Sequence, residues 1–401
     1  MAAIGSISLE VNGVIECGLA LLLVKPAKKT HEMHHAGAIF RVSPDTPFIV
    51  CCFSGKQSHS DAYDYGRDLV QEGLDLMSIT GREDLATRDG DDEYIVWWTN
   101  SGNKTLAYGT TATSSFSVGN AELIVHDANG NLVKPNIVIP QHHLALRFYR
   151  LAQVSDDLFD AYRNMYLAFE ALLSSRYPKG KGKEIDWLEH SLNAAADELN
   201  LNAYVPSEVS SPVKHFLGVI YNGARLPLFH AKDGHAYFAP VSSPDNRSVV
   251  VEALQLLTHI VIRMADVWLD ARRRGGWVNL DLFSEFNKTA FNDSEFVVLG
   301  STDNSLEEDI KTEDILNEFR CNAIFGEIFD GKKRHHVHGC MSIPNENTKV
   351  PLQNLFLVSG TKKLIYFSPE TSFDLDGFKE FQIILFLRGK NGSQPKYVYS
   401  R

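Results

Sequence analysis

Through the first 140 residues the apolar positions either alternate with polar ones or run unbroken for about five residues. This predicts strands at Ser6–Glu10, Ala20–Val24, Ala38–Arg41, Phe48–Phe53, Glu93–Thr99 and Ala121–Val125, with Gly, Asp, Asn and Pro between them. One interruption, residues 60–79, spaces Tyr65, Leu69, Gly73, Leu76 and Met77 at nearly helical intervals. From Gln141 the period becomes helical. Leu144, Phe148 and Leu151 lead into Leu158, Tyr162, Tyr166, Phe169 and Leu173, with Ser155, Asp157 and Asp160 marking a helix start between them. Further runs follow through Ile185, Leu188, Leu192, Ala196 and Leu199, then Val213, Phe216, Leu217 and Ile220, then Val250, Leu254, Leu257, Val261, Met264 and Trp268. The last run ends on Arg272–Arg274 and two glycines, a basic last turn and a stop. After Gly276 strand-like segments return at Phe296–Leu299, Ala323–Phe329, Val337–Ile343, Leu355–Val358, Lys363–Phe367 and Phe381–Leu387. The acidic stretch 303–314 reads as a solvated surface helix.

The expected fold class is therefore α+β and multidomain: a β-rich domain over 1–140, a four-helix domain over 141–275 and a second β-rich domain over 276–401. Charge follows the same division. Residues 141–275 hold 15 Lys plus Arg against 15 Asp plus Glu, so the net charge of −11 lies in the flanks. Acidic flanks argue against extended duplex binding, which needs many cationic contacts, and leave room for a small RNA gripped locally. No run of about 18 apolar residues and no basic-fronted leader before residues 18–24 suggest a membrane or secretion route, so a cytoplasmic protein is expected. Five cysteines, irregularly placed, are too few for a disulfide framework, and reduced thiols are expected.

Between the third and fourth helical runs lies Asn222-Gly223-Ala224-Arg225-Leu226-Pro227-Leu228-Phe229-His230. A histidine titrates near neutrality and can move a proton, whereas an arginine stays charged and grips phosphate oxygens in a planar fork. The long helix Tyr162-Arg163-Asn164-Met165-Tyr166-Leu167-Ala168-Phe169-Glu170-Ala171-Leu172-Leu173, the basic loop Lys179-Gly180-Lys181-Gly182-Lys183, the following helix and the Arg225-to-His230 motif together resemble the HEPN domain, in particular those of anti-phage, abortive-infection proteins. The resemblance covers residues 141–275. It implies a helical bundle that dimerises to join two arginine–histidine motifs, and a metal-independent endoribonuclease in which the ribose 2′-hydroxyl attacks the adjacent phosphate to give a 2′,3′-cyclic phosphate. His230 would move protons, Arg225 would stabilise phosphoryl charge, Asn222 would orient a phosphate or hydroxyl, and Lys232, Lys179, Lys181 and Lys183 would contact RNA such as a tRNA loop. Partners implied are RNA, a second copy of the chain, and a regulatory ligand or protein on the flanking domains. No metal or cofactor is expected.

Three departures stand out. Leu226 replaces the polar residue that usually follows the arginine. Pro227 places Arg225 at or before a helix start. Lys232 stands where toxins with nucleotidyltransferase antitoxins carry tyrosine. The competing reading is a catalytically inactive scaffold or ligand-binding accessory protein, with Arg225 paired to a helix carboxylate such as Glu170 and His230 bonded internally.

Other histidine groups carry less. His31, His34 and His35 have no companion motif, and His335, His336, His338 and Cys340 have zinc-type donors but no second ligand pair, so an exposed basic hairpin is the preferred reading. His235 reads as loop decoration; His126-Asp127, His142-His143 and Ser58-His59-Ser60-Asp61 have no nucleophile elbow, and no phosphate-binding glycine loop is present.

Overall fold

The computed structural model describes residues 2–88, 93–115, 141–155, 157–229, 238, 244–271, 280–301, 315–329, 332–343, 352–359, 362–367 and 372–390. It is a mixed α+β protein in two compact units, one formed by residues 1–113 with 281–388 and the other by 114–280 with 389–401. The segments on either side of the helical region, expected as separate domains, contribute strands to the same sheets.

In the first unit a nine-stranded sheet runs, in spatial order, Ile324–Phe329, Lys332–Ser342, Glu380–Lys390, Asn103–Ser115, Glu93–Asn100, Cys17–Leu22, Thr46–Phe53, Ala38–Ser43 and His31–His35. Cys17–Leu22 is buried along its whole length, as expected of an unbroken apolar run between two neighbours. It pairs antiparallel with Thr46–Phe53 on one side and Glu93–Asn100 on the other. Helix α1, His59–Ile79, covers one face. Its start is set by Ser58, whose side chain accepts from the Asp61 backbone N–H. The Ser58-His59-Ser60-Asp61 string is thus a cap. A second sheet orders Ile315–Asn322, Ser294–Ser301, Leu352–Ser359, Phe373–Asp374, Ala3–Ile4 and Ile7–Ser8, with Lys362–Phe367 beside Leu352–Ser359.

The second unit is helical, but it is not the plain four-helix bundle expected. It contains α2 (Ala145–Val154), α3 (Leu158–Arg176), α4 (Glu184–Leu199), α5 (Pro212–Phe216), a π-helical segment Leu217–Arg225, α6 (Leu226–Phe229) and α7 (Pro244–Leu269). Asp157 caps α3 by accepting from the Asp160 N–H, which separates α2 from α3. Tyr162, Phe169, Leu172, Phe216, Leu254, Leu257 and Met264 fill the core. Among the described residues one stretch, Asn246–Leu269 of α7, is long and apolar enough to cross a membrane by length and composition. Its apolar side chains Val250, Leu254, Leu257, Ile260 and Val261 are buried in this core, which accounts for that composition.

All five cysteines are free. Burial raises the Cys17 and Cys51 thiols and pushes Cys52 up to about 12, so these three are inert core residues.

Candidate functional site

Arg225 is the last residue of the π-helical segment, and Pro227 explains why that segment exists. A proline ring clashes with the carbonyl four residues earlier and offers no N–H. Widening the preceding turns to an i→i+5 pattern moves that carbonyl aside, and the Leu226 N–H reaches back to the Tyr221 carbonyl. Pro227 then enters α6 at its second residue and is buried. The Tyr162 hydroxyl, on α3, donates to the Ile220 carbonyl at 2.6 Å and pins the widened turn to the core.

The widened turn delivers Arg225 to Glu184, the first residue of α4, at 2.7 Å. The side chains are 17% and 16% exposed, so the pair is largely withdrawn from water. Glu184 also accepts from the Tyr166 hydroxyl at 2.9 Å and from the Tyr221 hydroxyl at 3.5 Å. Its position in the first turn of α4 adds the favourable end of the helix dipole. The guanidinium carbon lies 5.2 Å from the ring centres of Tyr221 and Phe229 and 5.9 Å from that of Tyr166. Arg225 therefore sits in a cage of three aromatic rings closed by a carboxylate.

Burial raises the Tyr162, Tyr166 and Tyr221 phenols, which keeps them protonated as donors. Glu170 is one helical turn beyond Tyr166 on α3 and is the carboxylate that the competing sequence reading paired with Arg225. The ion pair goes to Glu184 instead. Burial, and then the Glu184 charge, raises the Glu170 carboxyl. A carboxyl raised in the folded state penalises folding once pH exceeds that raised value, and the penalty vanishes below the unfolded value near 4.3. Glu170→Gln is expected to raise the urea midpoint of the helical unit at pH 7–8 and to match wild type below about pH 4. A midpoint difference that is the same at both pH values would refute that assignment.

Of the other expected site residues, Asn222, Lys179, Lys181 and Lys183 are among the described residues. Asn222 is exposed, and the wide turn rotates it further from Arg225 than an α-turn would. Lys179, Lys181 and Lys183 are exposed on the loop into α4, with the Lys179 ammonium 5.8 Å from the Trp187 ring centre. His230 and Lys232 lie outside the described residues, as do His235, His126-Asp127 and the 303–314 stretch. In the first unit, His336 and His338 share a face of Lys332–Ser342 and stack at 5.4 Å, whereas His335 lies against Phe283 and Phe325. His335 and His336 are buried, so the exposed histidine hairpin expected here is not what forms. Among the described residues no group of three or more His, Cys, Asp or Glu is arranged to hold a metal.

Sequence reasoning missed Glu184, Tyr166 and Tyr221 as site residues. Tyr166 read as a core position, Tyr221 fell between the third helical run and the arginine motif, and the only signal for Glu184 was an acid at a helix start facing a basic loop.

Residues 145–266 match the model of the family described as methylamine utilization protein MauJ. This overturns the HEPN resemblance, since the matched family is a different one covering the same helical segment. The resemblance rested on helical periodicity and an Arg-x4-His spacing, features that many helical domains share. No curated protein and no solved structure matches the chain. The match covers less than half of the chain, and over residues 145–266 the chain is similar to the methylamine utilization protein MauJ family.

Proposed function

We propose that this protein is a non-catalytic accessory protein whose helical unit is a binding or assembly module, acting in the cytoplasm in amine metabolism. What supports this reading is the use to which Arg225 is put. A guanidinium that is to stabilise charge growing on a phosphate must reach that phosphate with its positive charge unspent. Here the charge is met by Glu184 at 2.7 Å and enclosed by aromatic rings. The cluster joins α3, α4 and the π-helical segment, which is a structural task. The physiological setting comes from the name of the family matched over residues 145–266, methylamine utilization.

The test is genetic and biochemical together. Deleting the gene in its own host should slow growth on methylamine and leave growth on ammonium and the plating of phages unchanged. Expressing wild type, Arg225→Ala and His230→Ala should leave total RNA intact in all three. RNA fragmentation by wild type that disappears in both variants, with their folds intact, would overturn the proposal and establish RNA cleavage.

A further inference from the structure

Among the described residues four strands end the two sheets of the first unit. His31–His35 and Ile324–Phe329 bound the nine-stranded sheet, and Ile7–Ser8 and Ile315–Asn322 bound the other. An outermost strand offers its outer N–H and C=O groups to any passing strand, and proteins usually guard it with charge or brevity. Three of these four are guarded. In His31–His35, Glu32 is exposed and paired with Arg41, and His35 meets Glu72. In Ile315–Asn322, the exposed Glu318 and Arg320 pair with each other, and Arg320 also meets Glu295. Ile7–Ser8 is only two residues long.

Ile324–Phe329 carries neither device. Its one described strand neighbour is Lys332–Ser342. Ile324 and Ile328 are 55% and 70% exposed, which leaves in water apolar area that a partner would bury. The strand's one charged residue, Glu327, is spent on its own unit: it accepts from Ser284 and meets Lys288 at 3.2 Å, both on helix Leu280–Phe291. There is also room beside this edge. Grooves of about 1080 and 630 Å³ open where the chain passes from one sheet to the other, and Asn322 and Ile324 line both.

We propose that this edge is an interaction surface for a second copy of the chain, joined strand to strand across a two-fold axis at Gly326. The sequence Ile324-Phe325-Gly326-Glu327-Ile328-Phe329 is self-complementary in that arrangement. Run antiparallel to itself about Gly326, it sets Ile324 of each copy opposite Ile328 of the other, and Phe325 opposite Glu327. No like charges meet, because the one charged position faces an aromatic ring and keeps Lys288 as its counter-ion. A copy supplies the matching spacing without a second gene product, and the two-fold closes the pair. Six residues a side make an interface below the roughly 1,200 Å² of stable complexes, so the pair forms and breaks with concentration. The proposal concerns the first unit and is independent of the reading of the helical one.

Sedimentation equilibrium of the full chain in reducing buffer should show the average mass rising from one chain toward two between about 5 and 500 µM. Ile324→Lys and Ile328→Lys, both at exposed positions, should keep the urea midpoint and weaken association at least tenfold. For the register, Ile324→Cys and Ile328→Cys are made separately in a chain carrying Cys321→Ser and Cys340→Ser, then oxidised alone and mixed. A disulfide-linked dimer should form in the mixture and in neither chain alone, since directly opposed Cβ atoms lie within disulfide reach. A wild type that stays monomeric at about 500 µM would overturn the proposal and leave a strand of another protein as the occupant. So would association that both lysine variants retain. Cross-linking within either cysteine chain alone, or none in the mixture, would equally overturn it, and that result decides the matter even if the lysine variants fail to fold.

Discussion

Arg225→Ala is expected to destabilise the helical unit by about 3 kcal/mol, read as a lower urea midpoint with an unchanged slope. The sign separates the two roles open to this arginine. Where a site residue is held ready for a substrate, its removal commonly leaves stability unchanged or raises it, because unspent charge is a burden on the free fold. Where the charge is already used internally, removal strands its partner. Here the stranded group is Glu184, 16% exposed, which would keep the Tyr166 and Tyr221 hydroxyls as donors but lose its counter-ion. Those two hydroxyls and the residual exposure place the cost at the lower end of the about 3–5 kcal/mol typical of broken buried pairs. The rings of Tyr221 and Phe229 lose a cation at 5.2 Å as well. Combining Arg225→Met with Glu184→Gln should recover more than half of the loss, since no buried charge is then left uncompensated. A single-mutant cost below about 0.5 kcal/mol would mean the pair contributes nothing to the fold, and the argument for a structural arginine would fail.

How far the sequence led depends on which forces are local. The α1 helix, the strands Phe48–Phe53 and Glu93–Thr99, and the start of α3 near Asp157 were all legible, because periodicity and capping act within one element. The strand Asn103–Ser115 was missed: its Thr, Ser and Gly content weakens the apolar alternation, and its place is fixed by pairing with Glu93–Asn100. Helix Leu280–Phe291 was also missed; its buried face includes Ser284 and Asn287, so the apolar stripe is broken. Sharing of sheets between the N- and C-terminal segments is a long-range matter on which local pattern is silent. Within the candidate site, Arg225 was singled out for its chemistry and Pro227 for its effect on a helix. The consequence, nine residues of π-helix, follows only once the flanking segment is packed. Glu184 lies 41 residues from Arg225 in sequence, and nothing short of the fold selects it over Glu170.

The second large effect is expected in the first unit, at a position with no chemistry of its own. Gly18 lies in the fully buried strand Cys17–Leu22, opposite Cys52 on one neighbour and Trp97 on the other. A Cβ at residue 18 would run into the six-membered ring of Trp97 and the Cys51 carbonyl oxygen. Neither obstacle yields readily. Trp97 is fully buried among close-packed neighbours, and the Cys51 carbonyl belongs to the backbone of Thr46–Phe53. Gly18→Ala should therefore cost about 3 kcal/mol, the upper part of the usual range for overpacking, although alanine favours an extended backbone over glycine. Because two obstacles act together, shrinking one should help only in part. Adding Trp97→Phe should make the double variant more stable than the sum of the single losses by about 1 kcal/mol, with the remainder set by the carbonyl. Guanidinium unfolding followed by tryptophan fluorescence measures these terms, with the Arg225→Ala background as a check that the second unit responds separately. Strict additivity of Gly18→Ala and Trp97→Phe would show that the indole ring is not what holds residue 18 to glycine, and would leave the backbone approach of Thr46–Phe53 as the sole constraint.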